Sequence, residues 1–84
     1  MTILSVLATI SGTILGLANM PQAYKIFKRK SAKDISILTY SIFLVGSIIW
    51  FFYGLELNDI AIMLANGIGS VSLICVIIGW LKYK

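Results

Sequence analysis

Histidine is absent from these 84 residues, cysteine and proline occur once each, and only Asp34, Glu56 and Asp59 are acidic. Each scarcity excludes something. Without an imidazole the chain has no ordinary proton relay and lacks the commonest metal ligand. The single Cys75 lies in the middle of an apolar run, so it provides neither a disulfide framework nor a thiol pair for a metal. No Ser/His/Asp set, metal cluster or glycine-rich phosphate loop can be assembled from what remains. The chain is therefore not expected to be an enzyme, and no cofactor or metal is expected.

Charge is also scarce along most of the chain. Residues 1–24, 35–55 and 60–81 carry no charged side chain. Each run clears the ~20 residues a helix needs to cross a ~30 Å hydrocarbon layer. The expected fold class is an all-α membrane protein, a three-transmembrane-helix bundle. It forms one domain over residues 1–84, with helices near 2–24, 35–55 and 59–81. The first run has no basic leader and no small-x-small cleavage site before the basic stretch, so it reads as a span and not as a signal peptide.

What charge there is has a clear arrangement. Of a net +4, Lys25, Lys28, Arg29, Lys30 and Lys33 crowd the connection after the first span, and Lys82 and Lys84 follow the third. Three crossings put both segments on one side, which the positive-inside rule makes cytoplasmic. The expected placement is a multi-pass protein of a cell (inner) membrane, N-terminus outside and C-terminus cytoplasmic. Topology accounts for the basic cluster without a nucleic acid, and membrane lipid with anionic head groups also suits it.

Pro21 lies near the inner end of the first span, after Asn19 and Met20 and before Gln22. Proline has no N–H and its ring collides with the carbonyl of Leu17, so the helix is expected to bend or break there. In hydrocarbon the freed groups need a neighbour or a polar cavity. A proline flanked by two amides points to a moving part that lines a path. Upstream, Gly12 and Gly16 stand four apart and permit close backbone approach. The connection Lys25–Asp34 keeps spans one and two close, with Ser31–Asp34 as the expected cap of the second helix. The turn Glu56–Asp59 makes spans two and three an antiparallel hairpin.

Two stripes carry the remaining polar signal. Phe43, Ser47, Trp50 and Gly54 share one face of span two, and Asp59, Asn66, Ser70 and Leu73 a similar face of span three. At ~1.5 Å per residue, Trp50 lies about 8 Å and Asn66 about 10 Å below the outer boundary, nearly one level. An indole offers a flat face to the C–H side of a sugar, and an amide exchanges hydrogen bonds with its hydroxyls. The plainer readings are a belt tryptophan and an interhelical hydrogen bond. Tyr53 and Asp59 come out level at the outer mouth, where a hydroxyl–carboxylate bond would close it; a solvated carboxylate at a helix start is the plainer reading. Phe43 falls in the inner half with Pro21 and Gln22.

Three spans, Pro21-Gln22 at the inner end of the first, Trp50 on the second and Asn66 on the third resemble a SemiSWEET, the bacterial half-size sugar transporter of the PQ-loop group. The resemblance covers essentially the whole chain. It implies a parallel homodimer, with the third helix between the first two (order 1-3-2) and a pore on the twofold axis. It further implies a facilitator moving mono- or disaccharides, of the glucose or sucrose class, by alternating access. Trp50 and Asn66 would bind the sugar, Tyr53 and Asp59 would form the outer gate, and Phe43 with Pro21 and Gln22 the inner gate and hinge. One departure concerns the outer turn. Relatives often carry a basic residue there, whereas this chain has Glu56-Leu57-Asn58-Asp59, so a Tyr53–Asp59 hydrogen bond would have to replace an ion pair. A small non-transporting membrane subunit and a carrier for another small solute are the alternatives. A carrier of charged solutes would be expected to need a charge at pocket depth, and the sequence has none there.

Overall fold

Each apolar run forms helix, and one of them is divided. The computed structural model describes residues 2–84: α1 is Ile3–Leu17, α2 Met20–Arg29, α3 Ile37–Leu57 and α4 Ile60–Tyr83. Met1, the first residue of the uncharged run, lies outside the described residues. α1 and α2 together make one span of 27 residues, α3 and α4 the other two, and all three are long and apolar enough to cross a membrane.

The break between α1 and α2 follows from Pro21, the second residue of α2. Residue 21 has no N–H to give to the carbonyl of Leu17, so the regular ladder ends there. The Ala18 N–H turns back to Leu15 O at 3.2 Å, and α2 restarts with Ala23 N–H on Asn19 O at 3.1 Å. Proline at the start of a helix costs nothing in donors, because its N–H would be unpaired there anyway.

α2 runs to Arg29, beyond the expected end near Tyr24, and carries Lys25, Lys28 and Arg29 on helix. The reason is that Ala23 and Ile26 are buried against α4 while the cations stay exposed, which gives α2 a packed side. Lys30, at φ 54°, then ends the helix in the left-handed region, and the Ser31 N–H closes onto Ile26 O at 3.3 Å. The cap of α3 is Ser36 and not the stretch Ser31–Asp34: its Oγ accepts from the Thr39 N–H at 3.3 Å. Ala32 is buried instead, and its N–H donates to Tyr83 O at 3.3 Å, which ties the connection to the end of α4. At the other end of the molecule Asn58 (φ 53°) closes α3, the Asp59 N–H reaching Gly54 O at 2.9 Å. Asp59 Oδ1 then caps α4 through the Ile62 N–H at 3.2 Å.

α4 stands in the middle, with α1 and α2 on one side and α3 on the other. This is the 1-3-2 order of spans that the resemblance implied. Lipid tails are as apolar as leucine, so close fit must hold such helices together. A Cβ on Gly12 would meet Ala65 Cβ at 2.8 Å, and one on Gly16 would meet Ala65 O at 2.8 Å. On the other side, Gly54 is pressed equally close to Ile62. The best-packed region is the basic end, where Ala23, Ile26, Ala32 and Val76 form a buried cluster flanked by Ile35, Tyr40 and Trp80.

The molecule measures 43 × 20 × 14 Å. Its long axis matches a bilayer with head groups, ~40–45 Å. α1 and α3 both pack on α4 and scarcely on each other, so one chain is a flattened slab that stays open between them along one side.

Candidate functional site

One face of the slab carries a groove of about 490 Å³ between α1 and α3, with α4 as its floor. The floor is low because Gly69 lies there: its Cβ position is 3.7 Å from Gly16 Cα and 3.9 Å from Ser47 Oγ. These three residues mark the middle of the groove. One helical turn toward the α3–α4 hairpin come Trp50 and Asn66; one turn toward the basic end come Asn19, Phe43 and Leu73, all lining the same groove. The rest of the wall is glycine, alanine and aliphatic carbon.

Trp50 and Asn66 are thus brought together at one level, as their depths in the sequence anticipated. Trp50 is 54% exposed within the chain and rests edge-to-face on Tyr53, ring centroids 5.6 Å apart. Asn66 Nδ2 donates to Ile62 O, one turn back on its own helix, at 2.9 Å. The interhelical bond of the plainer reading is therefore not made within the chain, and Oδ1 and one N–H stay free for something in the groove. Ser5, Thr9 and Thr13 show the contrast: away from the groove, each hydroxyl is satisfied by a backbone carbonyl on the same chain.

The other expected site residues are distributed differently. Phe43 lies at the basic end of the groove, edge-to-face with Tyr40 at 6.3 Å. Pro21 and Gln22 lie just beyond the groove and do not line it; Pro21 is exposed on the side of α2 with Tyr24, Lys25 and Lys28. Tyr53 and Asp59 form no hydrogen bond within the chain, because Asp59 is turned to cap α4 and Tyr53 stacks on Trp50. Asp59 lines a separate depression of about 230 Å³ with Ser5 and Thr9. Ser70, placed on the polar stripe by spacing, points away from the groove: it lies with Phe51, Phe52 and Gly67, its hydroxyl buried without a partner.

Asn19 is the residue whose place the sequence left open. It marked a path-lining segment, but Pro21 drew that segment toward a hinge role. Counting three residues on from Gly16 puts Asn19 on the α4-facing side of the span, and the structure places it at the groove's basic end.

A slab of three membrane-crossing helices, order 1-3-2, with a polar-ended groove on one face defines the class: a small helical membrane protein with a groove open along its side. Residues 2–84 match the family described as sugar efflux transporters for intercellular exchange, and the chain belongs to that family. Among similar proteins, the sugar transporter SemiSWEET of Leptospira biflexa is 38% identical over 47 residues, 56% of this chain and 55% of that one. The bidirectional sugar transporter SWEET12 of rice is 30% identical over 66 residues, 74% of this chain and 22% of that one. The chain thus spans about half the length of the first and about a fifth of the second. A crystal structure of a bacterial homologue of SWEET transporters superposes with a TM-score of 0.91 at 34% identity, covering 99% of this chain and 100% of that one. The resemblance read from Pro21-Gln22, Trp50 and Asn66 is borne out.

Proposed function

We propose that the chain is a sugar facilitator that works as a parallel homodimer and moves mono- or disaccharides down their gradient by alternating access. The observation that carries this reading is the pairing of Trp50 and Asn66 at one level of a groove that is open along its side. Two slabs facing each other across a twofold axis close that groove into an axial path and double every group in it. The two indoles then cover apolar sugar faces, and the two free Asn66 amide edges exchange hydrogen bonds with hydroxyls.

Absence of any charge at that depth suits a neutral solute and a passive mechanism, since ion coupling relies on intramembrane ionisable groups. The names of the relatives support sugar as the solute class. In this reading Tyr53 and Asp59 close the outer mouth between protomers, Phe43 closes the inner one, and the break at Pro21-Gln22 is the hinge that lets it open. The basic end faces the cytoplasm in the inner membrane of the cell, where anionic lipid meets its lysines.

The test is uptake of labelled sugar by proteoliposomes containing only this purified protein. Uptake is expected in the wild type and lost in Trp50→Ala and in Asn66→Ala, with the dimer intact in both. Uptake that survives both substitutions would remove the pocket from this assignment.

A further inference from the structure

The groove has a second amide, Asn19, whose side chain has no hydrogen-bond partner among the described residues. Asn19 sits where α1 stops and α2 restarts, at the position that often caps a helix, yet its backbone is in the right-handed helical region (φ −86°, ψ −9°) and its side chain makes no capping bond. No described residue hydrogen-bonds that side chain, and the groove it lines is otherwise apolar at this end, between Phe43 and Leu73. An amide at membrane depth is costly unless something pairs with it. Asn19 therefore has the same standing as the free edge of Asn66, at the other end of the same groove.

The spacing of the two amides bears on what lies between them. Gly16, Ser47 and Gly69 are level. Asn66 is three residues from Gly69 toward the hairpin, and Asn19 three from Gly16 toward the basic end. At ~1.5 Å of rise per residue, the two levels are about 9 Å apart along the axis. With covalent bonds of ~1.5 Å, one pyranose measures about 5 Å between the oxygens borne by opposite ring carbons and two linked rings about 10 Å. A monosaccharide on Trp50 and Asn66 leaves Asn19 unmatched; a disaccharide reaches both. Ser47 Oγ, half-way along and likewise without a hydrogen-bond partner among the described residues, stands beside the linkage.

We infer that the groove is built for a disaccharide, with Asn19 as the residue that hydrogen-bonds the second ring and so sets preference for two rings over one. This rests on the sugar-facilitator reading and goes further by naming the substrate size and the residue that selects it. A site that hydrogen-bonds a substrate group favours the molecule that has it, because the site's polar atoms are otherwise left unpaired.

The experiment compares glucose with sucrose and maltose in proteoliposomes of the wild type, Asn19→Ala and Asn19→Gln. Wild type is expected to take up glucose and at least one disaccharide. Asn19→Ala is expected to lower disaccharide uptake about tenfold or more while glucose stays within about twofold; Asn19→Gln, which keeps the amide, is expected to restore most of it. Wild type that moves glucose but neither disaccharide overturns the inference and leaves the facilitator reading standing. Asn19→Ala that loses both classes equally, or neither, as an intact dimer also overturns it. A wild type that moves no sugar removes the reading underneath as well.

Discussion

Gly16 and Ala65 meet so closely that a single methyl group on Gly16 would stand 2.8 Å from the Ala65 carbonyl oxygen. The atom it would strike is backbone, as is the Gly69 nitrogen at 3.0 Å, so neither can swing aside. This contact seats α1 on α4 and sets the depth of the groove. Gly16→Val is expected to destabilise the fold by about 1–3 kcal/mol, the usual cost of overpacking. Thermal unfolding in detergent measures it. A variant as stable as wild type would mean that α1 is free to settle elsewhere on α4.

Asn66 bonds its own helix and not its neighbour, so its removal should spare the fold. Asn66→Leu keeps the volume and loses one hydrogen bond to Ile62 O, worth about 1 kcal/mol or less within a membrane helix. Stability is expected to change by no more than that, while sugar uptake disappears. Loss of the folded dimer in this variant would show that Asn66 holds helices together across protomers.

Pro21→Ala supplies the N–H that Leu17 O lacks, which allows α1 and α2 to join into one continuous helix. In the hinge reading the joined helix resists opening of the inner gate. Transport turnover is expected to fall several-fold, with sugar affinity unchanged within about twofold. Affinity measured by calorimetry and turnover by uptake separate the two effects. A fall in affinity with turnover intact would contradict the hinge.

Asp59 has two assigned tasks, one seen and one proposed, and two substitutions separate them. Asparagine caps a helix as well as aspartate does, whereas alanine loses the bond to the Ile62 N–H, at a cost of ~1 kcal/mol. Asp59→Ala is expected to lower the unfolding temperature and Asp59→Asn to leave it unchanged. If Asp59 also closes the outer mouth, Asp59→Asn and Tyr53→Phe alter uptake without touching stability. Wild-type uptake in both would leave Asp59 with the cap alone.

Much of the architecture was legible in the sequence because hydrocarbon imposes one-dimensional rules. A helix must cross about 30 Å without charge, so the charge-free runs located three spans. A proline in such a run must interrupt the ladder, so the division after Leu17 followed from Pro21 alone. Trp50 and Asn66 could be levelled by counting from the outer turn, because helical rise is constant. The end of α2 was less legible: charged residues suggested a loop, yet Lys25, Lys28 and Arg29 stay on helix because Ile26 on the opposite side is buried against α4.

The tertiary structure decided which polar residues share a surface. Spacing put Ser70 with Asn66, but α4 is contacted on two sides, and Ser70 turns toward Phe51 and Phe52, behind the groove. Depth put Tyr53 and Asp59 level at the outer mouth, and within the chain the turn at Asn58 directs Asp59 to the start of its own helix. Asn19 moved the other way, from hinge segment to groove wall, because Gly16 lets α1 lie against Gly69 and Asn19, three residues on, falls on the same side of the span. Chain order and helix rise determine depth, and the sequence holds both. Facing is determined by which side of each helix its neighbour occupies, and that depends on glycine contacts between residues some fifty positions apart.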